Sequence, residues 1–161
     1  MSEDVRITAA KWFYQHDQRF KVLPPMDIFE VYAKSLMCCA NADGKLVPAE
    51  REWVCGYFAS QNAPQAFIDE LRRYPADEDV LKLVAKFPAV DGSRRSLLFD
   101  AIRASSADGE FHEKERAAIE KLADKFGISK AELKTIEQAY LDEKKATEHR
   151  LKVVFPNGFP F

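Results

Sequence analysis

Ala42-Asp43-Gly44-Lys45-Leu46-Val47-Pro48-Ala49-Glu50-Arg51 and Ala107-Asp108-Gly109-Glu110-Phe111-His112-Glu113-Lys114-Glu115-Arg116 are two passes through one pattern. In each, an Ala-Asp-Gly triplet is followed by an apolar residue, Leu46 or Phe111, and then by a Glu-Arg pair. Aspartate before glycine organises a tight turn. A glutamate just beyond it complements the dipole at the start of a helix. Each copy therefore reads as a corner between two helices, and the repetition reports a duplicated helix pair.

The flanking segments fit that reading. Ile28, Val31, Tyr32, Ser35, Leu36 and Cys39 form an i, i+3, i+4, i+7 stripe leading into the first corner, with Asp27 and Glu30 spaced as a capping box. Pro48 suits the first turn of the helix that leaves it, which runs to Ser60 with Trp53, Val54, Tyr57 and Phe58 on its inner side. Gly56 interrupts that helix, at a cost of about 1 kcal/mol unless another backbone approaches it. The second corner is entered by a helix from Ser93, its expected cap, to Ala104, and left by one from His112 to Phe126. Gly127 and Ile128 read as a left-handed stop with its hydrophobic contact.

Further helices are expected from Val5 to Phe20, ending before Pro24-Pro25; from Pro64 through Leu71 to Tyr74-Pro75; and from Asp77 to Phe87, before a break at Asp91-Gly92. Ser129 and Glu132 form another capping box, opening a last helix through Leu133, Ile136, Tyr140 and Leu141 to a charged end at Asp142–Lys152. No segment alternates with the two-residue period of a strand. The expectation is an all-α fold: one domain over residues 1–161, a single compact bundle of about seven or eight helices with internal pseudo-twofold duplication. Its core covers about 28–140, with an aromatic N-terminal helix at 5–20 and an apolar Phe/Pro tail at 151–161 that docks on the domain or on a neighbouring subunit.

The chain is long enough at 161 residues to bury a core without disulfides or structural metal. With 24 basic and 26 acidic side chains it carries no global field to attract nucleic acid. No apolar run approaches the length of a membrane span, and the acidic start lacks the basic flank of a secretory signal, so a cytoplasmic protein is expected. Cys38, Cys39 and Cys55 lack CxxC spacing and read as reduced core residues; the alternative is a thiolate site of Cys39, Cys55 and a histidine.

Against the calcium-loop template, Asp43-Gly44 would hold positions five and six and Glu50 position twelve, but Cys39 and Asn41, or Ala104 and Ser106, stand where leading oxygen ligands belong. A standalone EF-hand is not expected. Two readings stay open. The acids are turn and cap residues, neutralised by Arg51 and Arg116; or the two corners meet, and Asp43, Glu50, Asp108 and Glu115 gather as oxygen ligands for a divalent cation. His112, three residues before Glu115, reads as a surface residue near a helix start, as do His16 and His149 in their polar settings. No Gly-rich phosphate loop, nucleophile elbow or HExxH motif is present, and no catalytic residue is assigned.

The duplicated Ala-Asp-Gly and Glu, the paired helices and the run Phe126-Gly127-Ile128-Ser129-Lys130-Ala131-Glu132-Leu133 resemble the TerB-like family, from about Ile28 to Tyr140. That family includes tellurite-resistance proteins and a domain of DjlA-type co-chaperones; no J-domain sequence accompanies these residues. The resemblance implies a compact, non-enzymatic helical bundle linked to tellurite and general stress. It also implies acids that bind metal, here Asp43, Glu50, Asp108 and Glu115. An oxyanion would need positive donors, so any link to tellurite is expected to be indirect. The aromatic termini, Trp12 to Phe20 and Phe155 to Phe161, are the candidate surface for a protein partner or homodimer.

Overall fold

Eight α-helices and two short helical turns make up the secondary structure of the computed structural model, which describes residues 4–21, 24, 26–86 and 92–160. Among these residues there is no strand. The helices are α1 Val5–Trp12, α2 Phe29–Ala40, α3 Pro48–Ser60, α4 Gln65–Arg73, α5 Val80–Ala85, α6 Arg94–Ser105, α7 Glu113–Lys125 and α8 Lys130–Val154. Helices α2 and α6, the two that enter the Asp-Gly corners, pack on each other at the centre. Around them α3 lies on α2 and α4, α5 bridges α2 and α7, and α8 covers α6 and α7.

The interior is continuous apolar packing. Leu36 and Met37 from α2, Val54 and Phe58 from α3, Leu71 from α4, Leu97, Leu98 and Ile102 from α6, and Ile119 and Leu122 from α7 are buried together. At roughly 1.5–3 kcal/mol for each large side chain removed from water, these contacts outweigh the helix propensities in fixing the arrangement. All three cysteines are free, buried members of this core, and burial pushes their thiols up in pKa. They therefore pack as neutral small hydrophobes.

Local signals act where the expectation placed them at several ends. Gly127 has φ +69°, Ile128 N–H donates to Ala123 O at 2.9 Å and Gly127 N–H to Asp124 O at 3.1 Å, the paired bonds of a Schellman stop. Ser129 and Glu132 form the capping box in full. Arg51 closes α4 by donating to Leu71 O at 2.8 Å and Tyr74 O at 2.7 Å.

Other expectations are corrected. Asp27 does not cap α2: it lies inside a 3-10 turn, Met26–Ile28, and Ile28 takes the cap position without a side-chain bond. Ser93 stands at the start of α6, but its side chain makes no capping bond. The fifth helix begins at Val80, because Asp79 caps it through Leu81 N–H at 2.9 Å. The N-terminal helix turns π-helical over Phe13–Asp17, which carries Tyr14 into the interior, and then stops where Arg19 adopts φ +58°. Helix α8 continues through the charged segment to Val154, and beyond it Phe155 and Phe159 pack on each other at 4.7 Å, with Phe159 64% exposed. Pro25, Phe87, Asp91 and Phe161 lie outside the described residues.

Gly56 faces solvent, and a Cβ built there meets nothing within 4 Å. No close backbone requires glycine, so Gly56→Ala removes unfolded-state entropy without a clash. Urea unfolding should show a gain of roughly 0.5–1 kcal/mol; a loss would mean that α3 is not a regular helix at this point.

Candidate functional site

The two corners are built from the same bonds. Gly44 and Gly109 take φ +88° and +98°, values that a residue with a Cβ adopts only under strain. Asp43 Oδ1 accepts from Lys45 N–H at 2.8 Å, and Asp108 Oδ1 accepts from Glu110 N–H at 2.9 Å. Gly44 N–H donates to Asn41 O at 2.8 Å, and Gly109 N–H to Ser106 O at 3.0 Å. One oxygen of each aspartate thus sets the turn, leaving the other free of that role.

The glutamates go further. Glu50 Oε2 accepts from Val47 N–H at 2.9 Å, and Glu115 Oε2 accepts from His112 N–H at 2.8 Å, so each caps the helix it belongs to by reaching back three residues. Both side chains are nearly inaccessible, at 1% exposure each. There the two carboxyl groups lie close enough to act on each other's protonation. Two carboxylates this close cannot both stay charged out of water. Burial first, and then Glu115 and Asp108 as neighbouring negative groups, push Glu50 up to about 8. Glu115 is also raised by burial, opposed by the His112 N–H bond and by its interaction with Glu50.

The structure brings Asp43, Glu50, Asp108 and Glu115 into one electrostatic neighbourhood, crosswise: Asp108 acts on Glu50 and Asp43 on Glu115. Direct contact is made by the glutamates, and among the described residues no three His, Cys, Asp or Glu side chains form a ready-made metal cage. Arg51 and Arg116 do not neutralise the acids. Arg51 is engaged with the end of α4, and Arg116 bonds Glu137 at 2.7 Å while lying over the Phe111 ring. His112 turns its Nε2 toward Glu110 at 3.4 Å, and its charge, when present, lowers Glu115. Asn41 is committed to structure, accepting from Leu46 N–H at 2.9 Å and donating to Ala76 O at 3.0 Å, so the side chain at the third calcium-loop position is engaged in turn bonds. Sequence reasoning placed the glutamates in a helix dipole and missed their burial; the signal was their offset of three from Val47 and His112, the capping-box distance without the usual Ser or Thr.

A helical bundle made of two turn-linked pairs, closed by a buried acid pair, defines the class. The family model for tellurite resistance protein TerB matches residues 31–138, and the chain belongs to that family. Its structure is similar to the crystal structure of a tellurite resistance protein from Nostoc punctiforme, with 34% identity, a TM-score of 0.87, and coverage of 99% of this chain and 100% of that one. No curated protein matches the chain. Among the described residues no helix is long and apolar enough to cross a membrane.

The raised glutamate has a thermodynamic consequence. Folded protein holds a proton on Glu50 up to about pH 8, whereas the unfolded chain releases it near 4.5. That contribution is full below the unfolded value and is lost as pH rises through the folded one. The melting temperature should fall between about pH 5 and 8, by roughly 2–4 °C for each kcal/mol lost. Glu50→Gln, which keeps both the acceptor for Val47 and a donor for Glu115, should flatten the decline; an equally steep slope in the variant would show that the pair does not share a proton.

Proposed function

We propose that this TerB-family protein is a non-catalytic binder of a divalent cation, held by Asp43, Glu50, Asp108 and Glu115, and that this binding underlies a role in stress and tellurite resistance. The observation that carries the reading is the Glu50–Glu115 pair: two buried carboxyl groups, each bonded to backbone and each acting on the other's protonation, with both motif arginines engaged elsewhere. A structural pair would be served as well by amides. A pair that exchanges its shared proton for a cation needs the acids, with the free oxygens of Asp43 and Asp108 completing a hard-oxygen set after modest side-chain rotation. The name tellurite resistance protein belongs to the family and to the Nostoc relative; acids suit a cation rather than the oxyanion, so resistance follows from the ion or a partner.

Titration calorimetry of metal-stripped protein with calcium, magnesium, manganese and zinc tests this. One ion should bind per chain, with release of about one proton at pH 7, because Glu50 is protonated there. Below pH 8 the affinity should rise up to about tenfold per pH unit, and Asp43→Ala with Asp108→Ala should weaken it strongly. Absence of heat with all four ions, or heat unchanged by the substitutions, would remove the proposal.

A second reading is favoured by the termini. Trp12 is 62% exposed, α8 projects beyond the bundle, and Val153, Val154 and Phe159 lie in the open. Apolar side chains gathered at an extended end suit contact with a second copy or another protein, the acids then serving only as corners. Removal of residues 153–161 should shift a dimer toward monomer in sedimentation at unchanged melting temperature; identical sedimentation of both forms would count against it.

A further inference from the structure

A cavity of about 280 Å³ lies on the other side of the bundle, between the π-helical segment, α2, α3 and α6. Its walls are largely aromatic, with Tyr14, Tyr32, Tyr57 and Phe58 among them, and Asp100 is part of its lining. The Asp100 carboxyl is buried in the fold at 4% exposure. Asp27 and Ser96, both exposed, border it as well.

The hydrogen-bond ledger of these walls is one-sided. Tyr32 and Tyr57 hydroxyls both donate to Asp100 Oδ2, at 2.8 and 2.9 Å. The Tyr14 hydroxyl donates to Gln61 Oε1, and Gln61 Nε2 donates to Tyr57 O at 3.1 Å. Gln18 Nε2 donates to Asp17 at 2.7 Å. The three phenol hydrogens are thus committed, while lone pairs remain on the phenol oxygens and on Asp100 Oδ1; the Ser93 and Ser96 hydroxyls and the second amide hydrogens of Gln18 and Gln61 are the donors left in the lining. Among the described residues no Lys, Arg or His lines the cavity. Arg103 reaches Asp100 Oδ1 only at 3.4 Å, lies over the rings of Trp53, Tyr57 and Phe99, and shares its charge with Glu143. The phenols and the carboxylate therefore suit a ligand that brings hydrogens, and aromatic faces favour that those hydrogens sit on a cation.

We propose that this cavity is a binding site for a small organic ammonium, a primary amine with a compact apolar body, whose nitrogen faces Asp100 and the phenol oxygens and whose body packs against the aromatic walls. The volume falls just under the range of roughly 300–1,000 Å³ used for drug-sized ligands, which suits a metabolite of about ten heavy atoms. Nothing in this site overlaps the acid pair at the corners, so the two readings stand or fall separately.

The test is calorimetry on the full chain with 2-phenylethylammonium, against 2-phenylethanol and 3-phenylpropionate as neutral and anionic counterparts of similar shape. The ammonium should bind with a Kd of about 1 mM or tighter, and the other two at least about tenfold more weakly. Asp100→Asn disturbs the bonds that join α2, α3 and α6, so Ser96→Trp at the exposed border is the primary variant: it should abolish ammonium binding at an unchanged melting temperature, and Glu50→Gln should leave binding intact. No binding of the ammonium, equal affinity for the alcohol, or full affinity in folded Ser96→Trp would overturn the assignment.

Discussion

Two buried carboxyl groups, Glu50 and Glu115, act on each other at the starts of α3 and α7, and the local bonding makes their burial tolerable. Each glutamate has one oxygen tied to a backbone N–H three residues earlier. Each lies behind a turn whose aspartate and glycine fix the chain direction before the helix begins. Leaving two charged carboxylates side by side in the interior would cost several kcal/mol per ion, more than surface pairing returns. Retaining one proton between them removes most of that cost and leaves one net charge, unmatched by the neighbouring arginines. The apolar core sets the fold, with α2 packed on α6, and the pair lies where the two corners approach each other.

Asp100 gives the contrasting case within the same molecule. It is as deeply placed as the glutamates, and burial raises it as well, but two phenols and a guanidinium oppose that rise. Donors from three elements converge on it: Tyr32 on α2, Tyr57 on α3 and Arg103 on its own helix. A carboxylate satisfied by donors acts as a cross-brace between helices. A carboxyl that faces a second carboxyl keeps a proton, whereas Asp100 stays a carboxylate held by phenols and a guanidinium. The difference lies in the partners and not in the residue type, which is why acid content alone says little about chemistry.

Legibility in the sequence followed the range of the interaction. Pro48, Gly127 with Ile128, and Ser129 with Glu132 act within one turn of chain, and the structure realises them where their spacing places them. The Asp-Gly corners were legible twice over, since the repeat supplied its own control. Asp27 looked like a cap by the same local criteria, and lost that role when the chain before α2 tightened into a 3-10 turn. The cavity around Asp100 left no trace in periodicity: Tyr14, Tyr32, Tyr57 and Asp100 come from four segments, and only packing brings them together. Gln61 bonding Tyr14 across 47 positions has no local signature at all.

The tail shows why apolar composition alone did not predict its placement. Val153, Val154 and Phe159 are as hydrophobic as core residues, and a docked tail was the natural expectation. Helix α8 is 25 residues long, however, and at about 1.5 Å per residue a regular helix of that length spans close to 38 Å, beyond the α6 and α7 surfaces on which its first turns rest. Arg103 bonding Glu143 marks how far the bundle follows it. Past that point each turn carries charge outward, in Lys144-Lys145 and in Glu148 to Lys152, so the helix stays straight and solvated and carries its apolar end away from the core. A long charged stretch of helix thus separates these exposed apolar side chains from the residues of α8 that rest on the bundle.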